Sequence, residues 1–99
     1  MLNVLNKPLS KMTESELKSN ISNQEIPNKE IILKYMQSFD KCAFTSQPVI
    51  DRVTGEKFNC ANDARTDGIY RWYEYEIYHF EKYNLKLNDD FIQHILNRL

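Results

Sequence analysis

Apolar positions along the chain change period several times, and each change marks an element. In Thr13-Glu14-Ser15-Glu16 the spacing matches a capping box, with the Thr13 side chain accepting from the Glu16 amide and Glu16 reaching back. The helix it starts is short, because Leu17 and Ile21 carry the apolar spacing and Asn20, Ser22 and Asn23 end it. From residue 28 to 39 the pattern is again helical. Asn28 follows Pro27 as an N-cap, Glu30 sits in the first turn, and Ile31, Ile32, Tyr35, Met36 and Phe39 form an amphipathic stripe. Beyond Asp40, apolar residues are separated by polar ones and punctuated by Pro48 and Gly55. Residues 49–53 and 56–60 then read as two strands of a hairpin in which Gly55 supplies a positive φ. A third strand is expected at Gly68–Trp72, entered through the Asp67-Gly68 turn.

From Tyr73 the period is helical once more. Projected at 100° per residue, Tyr73, Ile77, Phe80 and Tyr83 fall within about 120° and are assigned to the core. The opposite side carries Glu74, Tyr78 and Glu81, with Tyr75, His79 and Lys82 beside them. Asn84 ends this helix, Leu85–Leu87 is an extended connection, and Asn88 caps a last helix with Asp89 and Asp90 in its first turn and Arg98 in its last. Phe91, Ile92, Ile95, Leu96 and Leu99 are expected on one side of it. The expected architecture is a single α+β domain over residues 13–99, preceded by an irregular arm at 1–12. N-terminal helices, a short antiparallel sheet of about three strands and two C-terminal helices make it up.

With 99 residues, 41% of them hydrophobic, the chain has material for one modest core. A net charge of −1 gives no general attraction to phosphate backbones, and the 13 Lys and Arg are scattered beside acidic residues, so direct nucleic-acid binding is not expected. The opening residues lack an apolar signal region and no run is long enough to span a membrane, which makes a cytoplasmic location the expectation. In that reducing compartment Cys42 and Cys60 are read as free thiols packed as small hydrophobes. A composite metal site of Cys42, Cys60, His79 and His94 lacks zinc-ligand spacing, and with two glycines there is no phosphate-cradling loop, so neither metal nor cofactor is expected.

No catalytic constellation stands out. His79 projects to the solvated face of its helix without a nucleophile motif, and reads as a surface histidine rather than a general base. Asp51, Asp63 and Asp67 are candidates for a metal cluster near the sheet, against the simpler reading that such residues bond their own turns; for Asp67-Gly68 the turn is favoured. The chain reads as a non-enzyme. Seven of the twelve aromatic residues lie between Tyr70 and Tyr83, more than one core-facing stripe needs. Glu74, Tyr75, Tyr78 and Glu81, with Trp72, therefore form a candidate partner-binding set, since rigid amphipathic aromatics bury much area at low entropic cost and carboxylates select a basic partner. The competing reading is that Tyr75 and Tyr78 simply cover the sheet or the last helix.

The string Thr66-Asp67-Gly68-Ile69-Tyr70-Arg71-Trp72, then Ile77-Tyr78-His79-Phe80-Glu81-Lys82-Tyr83, Leu85-Lys86-Leu87 and Phe91-Ile92-Gln93-His94, resembles small bacterial immunity proteins of polymorphic toxin systems. These include immunity proteins of contact-dependent growth inhibition. The likeness covers roughly the C-terminal 60 residues, extending less distinctly back to the Ile31 helix, and residues 1–25 have no counterpart in it. It implies a protein that binds and neutralises a cognate toxin domain by stoichiometric occlusion, with a basic nuclease as the expected toxin, and it prescribes no catalytic residues. A small non-catalytic adaptor or regulatory domain that binds another protein is the alternative.

Overall fold

Local sequence chemistry starts the first helix of the computed structural model, which describes residues 2–45 and 47–99. In α1 (Glu14–Asn20) both halves of the capping box form: the Glu16 N–H donates to Thr13 Oγ1 at 3.1 Å and the Thr13 N–H to Glu16 Oε1 at 3.2 Å. α2 (Lys29–Ser38) begins where expected, but Asn28 does not cap through its side chain; it sits at φ 62°, a left-handed conformation that Asn tolerates better than most residues. Of its stripe, Ile32 and Met36 are buried, while Ile31 faces outward.

Among the described residues, six strands divide between two sheets. The mixed sheet has the order β1 (Leu2–Asn3), β6 (Tyr70–Tyr73), β5 (Ala64–Thr66), β2 (Lys41–Ala43). Here β1 runs parallel to β6, with Leu2 opposite Tyr70, and the other pairs are antiparallel. The expected hairpin, β3 (Pro48–Ile50) and β4 (Lys57–Ala61), forms a separate two-stranded antiparallel sheet, so the anticipated three-stranded sheet is split. Gly55 takes φ 79° in its turn and Gly68 takes φ 97° at the entry to β6, conformations costly for a residue with a Cβ. The Asp67 turn is also built as read, because Asp67 Oδ1 accepts the N–H groups of Ile69 (2.9 Å) and Tyr70 (2.8 Å).

α3 (Glu74–Tyr83) follows β6 directly and ends at Asn84, φ 54°. α4 (Asp89–Asn97) starts after Asn88, whose side chain donates to the Asn3 carbonyl at 3.1 Å instead of capping. The α+β class holds. Its core gathers Ile32, Met36, Trp72, Ile77, Phe80, Leu85, Leu87, Phe91 and Ile95. The segment 1–12, read as an irregular arm, is anchored in that core by Val4, Leu5, Leu9 and Met12. Its short strand and the 3-10 turn at Leu9–Lys11 give isolated apolar residues a buried side that no helical or strand period announces. No helix among the described residues is long and apolar enough to cross a membrane.

Candidate functional site

The sequence grouped five residues around α3, and the fold separates them. Glu74, Tyr78 and Glu81, at i, i+4 and i+7, line one side of a shallow groove of about 260 Å³. Its other side comes from Phe58 and Cys60 on β4 and Gln37 on α2. Tyr75 points away and lines a different cavity. Trp72 is withdrawn from any surface role: it is fully buried, its ring lies 5.4 Å from that of Phe91 and 5.9 Å from that of Phe39, and its indole N–H donates to the Met36 carbonyl at 2.9 Å. A tryptophan on the inward face of β6 offers the core more area than any other side chain in the strand, which explains its burial.

The groove is a held surface. Tyr78 packs on Phe58 at 4.8 Å between ring centroids, and its hydroxyl donates to Asp51 Oδ2 at 2.6 Å. Glu74 is ion-paired to Arg65 Nε at 2.6 Å, and Arg65 in turn donates to the carbonyls of Gln37 and Phe39. Much of the Glu74 charge is therefore balanced locally, leaving Glu81, exposed at the rim, as the carboxylate most open to a partner. Lys82 also reaches this face, with its ammonium 5.7 Å from the Tyr78 ring centroid and 3.2 Å from its hydroxyl.

Asp51, at the end of β3, organises this region. It is fully buried, yet Oδ1 accepts from the N–H groups of Val53 (2.8 Å) and Thr54 (2.9 Å), and Oδ2 from the hydroxyls of Tyr78 and Tyr83, each at 2.6 Å. Burial alone pushes its carboxyl upward, but the hydrogen bonds from Tyr78, Tyr83, Thr54 and Val53 outweigh that and hold it well below the usual carboxylate range. The same burial and the neighbouring carboxylate push the Tyr83 hydroxyl up to about 12.

His79 is not the surface histidine that projection suggested; it is fully buried. The Arg52 N–H donates to Nε2 at 3.0 Å, and Nδ1 lies 2.7 Å from the Tyr75 carbonyl. An N–H donor at Nε2 requires a lone pair there, so the ring is neutral with its proton on Nδ1, and burial lowers its proton affinity further. The hairpin turn that carries Arg52 folds over the outward face of α3 and converts it into an interface. Helical projection has no means of seeing that cover.

The three aspartates do not gather, and among the described residues no cluster of three or more His, Cys, Asp or Glu side chains is arranged to hold a metal. Asp63 receives the Thr45 N–H at 3.1 Å and Lys41 Nζ at 3.0 Å. Asp67 Oδ2 accepts from the Tyr35 hydroxyl and lies 2.7 Å from His94 Nε2 and 3.3 Å from Arg98. Burial opposes its ionisation, but Tyr35, the Tyr70 and Ile69 amides and His94 hold Asp67 at about 2. Both cysteines are free and, contrary to expectation, exposed, because β2 and β4 lie at sheet edges. Sequence reading missed Phe58 and Cys60 as groove residues, although their i, i+2 spacing on a strand was the available signal. Gln37 offered none. No family model, curated protein or solved structure matches this chain.

Proposed function

We propose that this chain is an immunity protein that captures a cognate toxin domain by stoichiometric occlusion, as the resemblance of its C-terminal part implies. The observation that supports this reading is the groove of Glu74, Tyr78, Glu81, Phe58 and Gln37, whose aromatic floor is fixed by Asp51 before any partner arrives. A pre-set surface loses little side-chain entropy on binding, which favours slow release. Glu81 at the rim would meet a lysine or arginine of a basic toxin, a nuclease being the expected kind, where a carboxylate takes the place of substrate phosphate.

The test is co-expression with the polypeptide encoded immediately upstream, scoring growth rescue and co-purification. A neighbour that kills alone, is tolerated together with this chain and elutes in complex with it supports the reading. A toxic neighbour that this chain neither rescues nor binds removes it, whereas a complex with a non-toxic protein favours the adaptor alternative. Within a complex, Glu81→Lys is expected to weaken affinity about tenfold or more while leaving the thermal melt unchanged, since Glu81 is exposed. Glu74→Gln serves better than Glu74→Lys at the neighbouring position, because a lysine there would face Arg65.

A further inference from the structure

A second concavity, of about 540 Å³, lies between the N-terminal segment, the start of β3, the end of β6 and the first turn of α3. Among the residues facing it are two of opposite charge, Arg71 and Glu76, with Tyr73 and Tyr75 as aromatic walls and the amides of Asn3 and Gln47 at its margin. Arg71 makes no hydrogen bond through its side chain among the described residues; its Nε is buried without an acceptor, and its guanidinium lies 5.6 Å from the Tyr73 ring centroid. Glu76 spends Oε1 on the Tyr73 N–H at 3.0 Å, and Oε2 has no protein partner. The two groups share one cavity and do not approach within the 4.0 Å of an ion pair.

Two opposite charges that line a cavity without touching leave a gap that a dipolar molecule can bridge. We propose that this cavity binds a small zwitterion of the amino-acid type, its carboxylate on the Arg71 guanidinium and its ammonium on Glu76 Oε2. The two terminal Nη groups of the guanidinium fork match a carboxylate in two parallel hydrogen bonds. Tyr73 and Tyr75 line the same cavity, and aromatic rings attract cations. The volume lies within the usual range for small-molecule sites and exceeds what an amino acid alone occupies, leaving room for its side chain. The site is separate from the groove of Glu74, Tyr78 and Glu81, so it does not rest on the partner-binding reading.

The experiment titrates the full chain with each common L-amino acid, and with its C-amidated and N-acetylated forms, by calorimetry and by the side-chain Nε–H resonance of Arg71. At least one amino acid is expected to bind with a dissociation constant of about 1 mM or tighter and to shift that resonance. Blocking either end is expected to weaken it about tenfold or more, as are Arg71→Lys, which keeps the charge but loses the fork, and Glu76→Gln. No shift of the Arg71 resonance by any amino acid at about 10 mM overturns the proposal. So does equal affinity after blocking the carboxylate or the ammonium. Should Arg71→Lys fail to fold, the blocked ligands on the wild-type chain and Glu76→Gln decide the matter by themselves.

Discussion

Replacing Asp51 with alanine tests whether one carboxylate holds the hairpin to α3. Four donors converge on it: the Val53 and Thr54 amides at 2.8 and 2.9 Å and the Tyr78 and Tyr83 hydroxyls at 2.6 Å. Asp51→Ala strands all four, and a stranded buried donor costs about 1–3 kcal/mol. Both tyrosines are only half-buried and can turn towards water, so a total of about 3–5 kcal/mol is expected rather than the full sum. Tyr78→Phe removes one donor and leaves Asp51 three, which places its cost near 1 kcal/mol. Urea unfolding followed by the fluorescence of the single tryptophan, Trp72, reads both values. The pH dependence has a definite sign. Because the folded-state carboxyl of Asp51 is depressed, its contribution is present above the unfolded value of about 3.9 and is lost as the pH falls below it. The gap between wild type and Asp51→Ala therefore narrows below about pH 4. A loss under about 1 kcal/mol at pH 7, or a gap that widens on acidification, refutes the assignment of Asp51 as the organiser.

Glu76→Gln carries the opposite sign: burial raises the Glu76 carboxyl from an ordinary 4.5 to about 7, against the pull of the Tyr73 amide and Arg71, so wild type loses stability as the pH rises through that window. The displacement corresponds to at most about 3 kcal/mol, and water reaching the cavity reduces it. Glutamine, which can still accept the Tyr73 N–H, is expected to stabilise by about 1–2 kcal/mol at pH 8 and to leave the urea midpoint unchanged near pH 4. Removing residues 1–5 deletes buried Val4 and Leu5 and the acceptor of the Asn88 N–H, and is expected to cost about 3–5 kcal/mol in urea unfolding; a loss below about 1 kcal/mol would show that the segment only rests on the core. Capture of a partner through the α3 groove is expected to leave the Trp72 emission maximum in place, since that ring is fully buried, and a marked shift would mean that binding opens the core.

Where a side chain's role is set by its own neighbours in sequence, the residues alone revealed it. The Thr13 capping box, Gly55 at positive φ, the Asp67 turn and the Phe91–Ile95 spacing of α4 belong to this class, whereas Leu99, expected on that same side, is exposed beyond the end of the helix. Roles set by distant segments were hidden. His79 and Tyr78 project outward from α3 by any helical count, yet the turn at 51–56 lies against them, bringing the Arg52 amide to one and Asp51 to the other. Trp72 looked like an anchor for a partner because tryptophan is favoured both in interfaces and in cores, and only the packing of Phe39 and Phe91 decides between them. The first twelve residues lack any period because a two-residue strand and a single 3-10 turn are too short to display one.

The same long-range contacts link the surface to stability. Among the described residues, the small sheet of β3 and β4 has no third strand to pair with, and an isolated hairpin is at best marginally stable in water. It is held in place by what it gives α3: buried Val49, the Asp51 carboxylate and the Arg52 amide. α3 is equally dependent, since without the hairpin a neutral histidine and two tyrosine hydroxyls would lose their partners. The aromatic excess between Tyr70 and Tyr83 is thus divided between three tasks. Tyr70, Trp72 and Phe80 fill the core, Tyr78 and Tyr83 fasten the hairpin, and Tyr73 and Tyr75 wall the cavity of Arg71 and Glu76. Only Tyr78 both fastens and faces a groove, so loosening its bond to Asp51 would disturb the fold and the candidate interface together, whereas a change at Glu81 would disturb the interface alone.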